Sequence, residues 1–121
     1  MHTVLVVDDN ELVRNSLQEL LTHHGFKVVE AQNGAVALEM LESGFRPLAV
    51  VLDLIMPVMD GWQFLERLHA GPLRTIPTVV VSGAHIEHEG PALSARYGCE
   101  VLPMAGLKRL VAALREIAAR A

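Results

Sequence analysis

The stretch that most limits what this chain can become is Leu48 to Gly61, LAVVLDLIMPVMDG. Five apolar residues lead into one carboxylate, Asp53, followed by a second apolar run, a proline and an Asp-Gly turn. A continuous apolar run of this length between turn signals reads as a strand buried on both faces, the pattern of a parallel sheet. Asp53 then stands at or just past the strand's carboxyl end, where open α/β sheets place their ligands. An ionised carboxylate beside a buried strand is costly unless it meets a cation or takes part in chemistry.

The flanking sequence supplies the other parts of such a sheet. Thr3 to Val7 is a second β-branched run and ends abruptly in Asp8, Asp9 and Asn10. Asn10 is suited to cap the following helix, with Glu11 near the positive end of its dipole. Leu12, Val13, Leu17, Leu20 and Leu21 form the expected buried stripe, and Gly25 stops the helix. Phe26 to Ala31 interleaves charged and apolar residues, as in a half-exposed edge strand. Gly34 to Glu42 reads as a second helix. Asp60 and Gln63 form a capping box for a third, from Gly61 to about His69.

Thr78 to Val81 is a fourth strand ending at Ser82. The periodicity is lost between Gly83 and Gly90, and Pro91 suits the first turn of a short helix ending near Tyr97. Glu100 to Leu102 is a brief fifth strand, and Leu107, Leu110, Val111, Leu114 and Ile117 mark a last helix. Strands alternating with helices predict an α/β fold, a doubly wound five-stranded parallel sheet of flavodoxin-like order 2-1-3-4-5 with helices on both faces.

The totals exclude several classes. At 121 residues the chain is expected to be one domain, residues 1–121, burying roughly two-thirds of its unfolded surface. A net charge of −4 without a basic block argues against nucleic acid. The single cysteine, Cys99, excludes an internal disulfide framework and fits a reducing compartment. With neither a signal sequence nor an apolar run of about 18 residues, a soluble, cytoplasmic protein with no membrane partner is expected. No G-x-G-x-x-G or P-loop follows a strand, which disfavours nucleotide binding.

In the 2-1-3-4-5 order, the carboxyl ends of strands one and three are neighbours, so Asp8, Asp9 and Asp53 should converge. Three such carboxylates repel, and a hard divalent cation relieves the repulsion; Mg²⁺ suits carboxylates, waters and a phosphate oxygen. A carboxylate held there can attack phosphorus and form an acyl phosphate. Ser82 could donate to a phosphoryl oxygen.

Taken together, VLVVDDN, LDLIMPVMDG and VVVSGA resemble the receiver domain of two-component response regulators, over essentially the whole chain. The resemblance implies that Asp53 is the phosphoacceptor and that Asp8, Asp9 and Asp53 bind Mg²⁺ with the backbone carbonyl of Ile55. It makes Ser82 the switch hydroxyl. It implies a signalling domain rather than an enzyme, phosphorylated by a sensor histidine kinase or phosphotransfer protein. Its downstream protein target would dock on the face formed by helix four, strand five and helix five. With no output domain in the chain, it is similar to stand-alone receivers of the chemotaxis type.

Two departures from the family pattern stand out. Aligned on Gly98, Val101 occupies the family's aromatic position, Met104 its lysine and Ala105 its proline. Met104 cannot donate a charged hydrogen bond, worth about 1.5–3 kcal/mol. Its absence should weaken coupling between phosphorylation and conformation by ~10- to ~100-fold. Lys108, about a turn further on, is a candidate substitute. Ile55 and Ala84 hold the positions that tune hydrolysis and cannot orient water, so slow dephosphorylation is expected. The alternative is a phosphorylation-independent interaction module on the same fold. An aspartyl phosphohydrolase is disfavoured, because Asp8-Asp9-Asn10 lacks the spacing of nucleophile and acid/base.

The remaining residues read as structural. His85, Glu87, His88 and Glu89 form a solvated loop rather than a metal site, since nothing is placed to close one. His23 and His24 complement a helix dipole. Trp62, Tyr97 and Cys99 are packing residues.

Overall fold

The computed structural model describes residues 2–83 and 86–121, the side chains of residues 86–88 excepted. Five strands, β1 (Thr3–Val7), β2 (Lys27–Ala31), β3 (Ala49–Leu52), β4 (Thr78–Ser82) and β5 (Glu100–Pro103), form one sheet of order β2-β1-β3-β4-β5. Every pairing is parallel, with Val7 opposite Leu52, Leu52 opposite Val80 and Ser82 opposite Pro103. The helices are α1 (Glu11–His23), α2 (Gly34–Glu42), α3 (Gly61–His69), α4 (Ile86–Tyr97) and α5 (Leu107–Arg120). Short 3-10 turns at Pro72–Thr75 and Met104–Gly106 were not foreseen in the sequence.

Alternation along the strands divides the core into two layers. Leu5, Val7, Val50, Leu52 and Val80 face α2, α3 and α4, packing with Leu38, Phe64, Leu65 and Leu93. Val4, Val6, Val51, Val79 and Val81 face α1 and α5, packing with Leu17, Leu21, Leu110 and Leu114. Each such side chain contributes roughly 1.5–3 kcal/mol on burial. That explains why the central strands read as unbroken apolar runs. β2, paired only with β1, exposes Lys27 and Glu30 and half-buries Val28 and Val29, as an edge should.

The caps match the sequence. Asn10 Oδ1 accepts from the N–H groups of Leu12 and Val13 at 2.9 and 3.2 Å. Gln63 N–H donates to Asp60 Oδ1 at 2.9 Å, and Asp60 N–H to Gln63 Oε1 at 3.2 Å.

Two expectations are corrected. Leu12 is not part of the buried stripe of α1: it is 76% exposed, because the core face of that helix begins at Val13 and Leu17. Pro91 does not sit in a first turn, since α4 already begins at Ile86 and Pro91 lies inside it. The weak amphipathicity of residues 86–90 concealed this extension, and with it the backbone of Glu87, His88 and Glu89 is helical rather than a loop.

Candidate functional site

At the carboxyl end of the sheet, β1 and β3 deliver their acids to one place. Pairing continues past the strands, with Asp53 N–H donating to the Val7 carbonyl at 3.0 Å and Asp8 N–H to the Ala31 carbonyl at 3.2 Å. As a result, carboxylate oxygens of Asp8, Asp9 and Asp53 lie within 4.8 Å of one another. Asp8 is buried, Asp53 half-buried and Asp9 exposed.

The electrostatics follow from this crowding. Burial pushes the Asp8 carboxyl up to about 6; the Asn10 N–H at 2.9 Å opposes the rise, while the charges of Asp53 and Asp9 add to it. Asp53 is also raised, chiefly by burial, against donation from the N–H of Ile55, the Ser82 hydroxyl and the N–H of Leu54. Asp53 is therefore aimed by several donors, with no cation neutralising it among the described residues. The charge of Arg14 lowers Asp8 only as the least of the influences on that carboxyl, because its guanidinium is held by other groups. Its Nη1 donates to the Asp8 backbone carbonyl at 2.7 Å, and its Nε pairs with Glu30 at 3.1 Å.

This donor set fits Mg²⁺, a hard cation satisfied by carboxylates and waters in a site with excess negative charge. Ser82, 1% exposed at the end of β4, is turned toward Asp53. Ile55 enters through its N–H on Asp53, its side chain 52% exposed.

The loop from Asp53 to α3 is held by features that sequence reading recorded only as turn signals. A Cβ at Gly61 would stand 2.6 Å from the Asp53 carbonyl oxygen and 2.7 Å from Leu54 Cα, so only glycine permits this approach. Gly61 N–H closes the loop onto the Leu54 carbonyl at 2.9 Å, and Gly34 N–H in α2 anchors the Met59 carbonyl at 3.2 Å. Between these anchors, Met59 N–H bonds the Pro57 carbonyl at 2.8 Å, with Val58 at φ 68°. A β-branched residue in this region is strained by about 1–2 kcal/mol. Val58 is 81% exposed and touches little that could compensate. Val58→Gly is expected to raise stability by about 1 kcal/mol after glycine's entropy is counted, seen as a higher urea midpoint at unchanged m.

The other residues singled out in the sequence have ordinary places. Met104 opens the 3-10 turn after β5 and packs against the α1/α5 layer, in a groove of about 290 Å³ with Leu12, Val13, Leu17 and Leu107. Val101 is half-buried against the other layer, and Lys108 is exposed. Cys99 is buried in the core, Trp62 and Tyr97 pack half-buried against it, and His23 and His24 end α1. Ala84 and His85 lie outside the described residues, as do the side chains of Glu87 and His88. Arg14 and Gly61 were missed. An arginine four residues beyond an N-cap and a glycine after an Asp carry too little pattern to be told from ordinary helix and turn residues.

Comparison with known proteins agrees with this geometry. The family model "Response regulator receiver domain" matches residues 4–99. A protein-glutamate methylesterase/protein-glutamine glutaminase of Rhodospirillum rubrum is 42% identical over 99 residues, 78% of this chain but 26% of that protein. Response regulator MprA of Mycolicibacterium vanbaalenii is 45% identical over 67 residues, 55% of this chain and 29% of the relative. The chain thus spans under a third of the length of these curated relatives. Among solved structures, a Francisella response regulator receiver domain superposes with a TM-score of 0.88 at 21% identity, covering 99% of this chain and 98% of that one. The N-terminal domain of a response regulator receiver protein from Methanoculleus marisnigri superposes at 0.77 with 27% identity, covering 96% and 94%. With matching motifs, sheet order and clustered acids, the chain belongs to the response regulator receiver domain family.

Proposed function

We propose that Asp53 accepts a phosphoryl group from a phosphohistidine of a sensor kinase or phosphotransfer protein, and that the resulting acyl phosphate alters a partner interaction. The observation that carries this reading is the meeting of Asp8, Asp9 and Asp53 within 4.8 Å, with Asp53 aimed by backbone and Ser82 donors. A carboxylate oxygen of Asp53 attacks phosphorus. The P–N bond breaks, and its electron pair leaves with the imidazole nitrogen. Asp8, Asp9, Asp53 and the Ile55 carbonyl would hold Mg²⁺, which supplies charge neutralisation for the phosphoryl oxygens. The Ser82 hydroxyl, released from the carboxylate, would donate to a phosphoryl oxygen.

The large apolar side chains exposed among the described residues, Leu12, Ile55 and Val58, belong to the segments that follow β1 and β3 at this end of the sheet. That placement suits a protein donor pressed onto the site rather than a free small molecule. The output partner is assigned to the α4–β5–α5 face, and the setting is cytoplasmic; no described helix is long and apolar enough to cross a membrane.

Incubation with a small phosphodonor and Mg²⁺ is expected to add one phosphoryl group by intact mass, and Asp53→Asn to add none. Failure of the wild-type protein to gain mass at saturating donor would overturn the proposal. It would favour the second reading, a phosphorylation-independent interaction module, which the packing of Met104 into an apolar groove supports. Met104→Lys separates a lost contact from a lost function. Its alkyl stem can keep the Met104 packing while the ammonium reaches outward. The response of partner binding or amide spectra to a phosphate mimic should strengthen by ~10-fold or more. No change would show that Met104 is not the missing contact.

A further inference from the structure

At the opposite end of the sheet from Asp53, a cavity of about 330 Å³ opens where β4 and β5 begin. This is near the lower limit of ligand pockets, about 300–1,000 Å³, and suits a small molecule rather than a protein segment. Its wall includes Arg74 and Arg120, the ring pair His69 and Tyr97, and Thr78.

Three observations converge on what it would bind. First, Thr78 is 6% exposed, and its hydroxyl has no hydrogen-bond partner among the described residues. Buried hydroxyls are nearly always paired, so this one calls for an acceptor or donor beside it.

Second, the cavity's charges are unequally committed. Glu100 and Glu116 share the single guanidinium of Arg109, whose Nε and Nη2 lie 3.1 and 3.3 Å from Glu100 and whose Nη1 lies 3.4 Å from Glu116, so their two charges are offset in part before Arg74 and Arg120 are counted. Arg74 uses one N–H on the Gly71 carbonyl at 3.3 Å, and Arg120 has no ion-pair partner among the described residues. Two guanidiniums, each a planar fork matched to a carboxylate or phosphate, are left to face the cavity.

Third, His69 and Tyr97 lie with ring centroids 4.9 Å apart, tilted by 45°, and give the wall an aromatic face that carries no negative charge. We propose that this cavity binds a small oxyanion-bearing ligand, a carboxylate or phosphate ester of metabolite size, through Arg74, Arg120 and Thr78. Thr78 and Ser82 begin and end the same strand, four residues or about 13 Å apart. The two sites are therefore separate, and the proposal does not depend on phosphorylation of Asp53.

The test is amide NMR titration of the whole chain in metal-free buffer with phenyl phosphate, benzoate and, as neutral control, benzamide. Saturable shifts are expected around Thr78, Gly98 and Arg120, with Kd near or below about 1 mM for one or both anions, and none at Asp8 or Asp53. Phenyl phosphate alone would assign a phosphate ester, benzoate alone a carboxylate. Benzamide should bind at least ~10-fold more weakly, and Arg74→Gln/Arg120→Gln, at two exposed positions, should cost the anions ~10-fold or more. Thr78→Val should weaken binding while leaving the unliganded melting temperature unchanged or higher. Absence of saturable shifts, equal binding of benzamide, or affinity unmoved by either variant would overturn the proposal.

Discussion

Asp8→Asn is expected to make the metal-free protein more stable and to leave it nearly unable to accept phosphate. The two effects have one cause. In the wild-type protein, the Asp8 carboxyl is pushed up to about 6 by burial and by neighbouring acids, from an ordinary value of 3.8. The folded state therefore binds a proton more tightly than the unfolded chain. Between about pH 4 and pH 6 the unfolded chain carries fewer protons at this position, so stability falls as pH rises through that window and stays lowered above it.

Asparagine removes the charge but keeps an oxygen to accept from Asn10 N–H, now at 2.9 Å. The melting temperature at pH 7.5 without metal should therefore rise, and the decline between pH 4 and 6 should flatten. Mg²⁺ is expected to stabilise the wild-type protein above pH 6 by binding the ionised cluster, and to stabilise the variant far less. Phosphoryl uptake at fixed Mg²⁺ should drop by roughly 100-fold, since losing a charged ligand costs at least as much as the ~10- to 100-fold that losing an outer-shell partner costs a metal site. Equal Mg²⁺ stabilisation of the variant and wild type would show that Asp8 is no ligand.

The second large effect is expected from Gly61→Ala, a change of one methyl. The added Cβ would meet backbone atoms, the Asp53 carbonyl oxygen at 2.6 Å and Leu54 Cα at 2.7 Å, neither of which can rotate away. The loop must shift, with a stability loss of about 1–3 kcal/mol, the usual range for overpacking. Asp53 would move with its own carbonyl, and a displacement of about 1 Å at a reacting group can cost 100-fold in rate. Gly71→Ala is the control, since its Cβ would meet nothing within 4 Å. Chemical unfolding and the rate of mass gain measured on both variants decide the matter. If the Gly61 variant matches the Gly71 variant in both, the close approach is not what holds Asp53.

How much could be read before the fold was seen follows from the nature of each signal. The unbroken runs at Val4–Val7, Ala49–Leu52 and Val79–Val81 reflect burial on both faces, a property each strand carries in its own residues. The caps at Asn10 and Asp60 are equally local, because donor and acceptor lie within three residues. The acids at the strand ends could be assigned to one site because the parallel order leaves β1 and β3 adjacent. α4 was misread because residues 86–90 lack a strong apolar stripe and Pro91 resembled a start signal.

The amino-acid sequence by itself determined the strands, their order, and which acids the order would gather. Only the tertiary structure decided that Arg14 directs its hydrogen bonds to the Asp8 backbone carbonyl and to Glu30, that Gly61 is required by an approach to Asp53, and that Met104 packs in a groove. The physical reason is range: periodicity and capping act within a few residues, whereas the position of a guanidinium, a missing Cβ or a thioether is set by backbone distant in the chain. The charge state of Asp8 is of the second kind, because burial and a neighbour 45 residues away set it together.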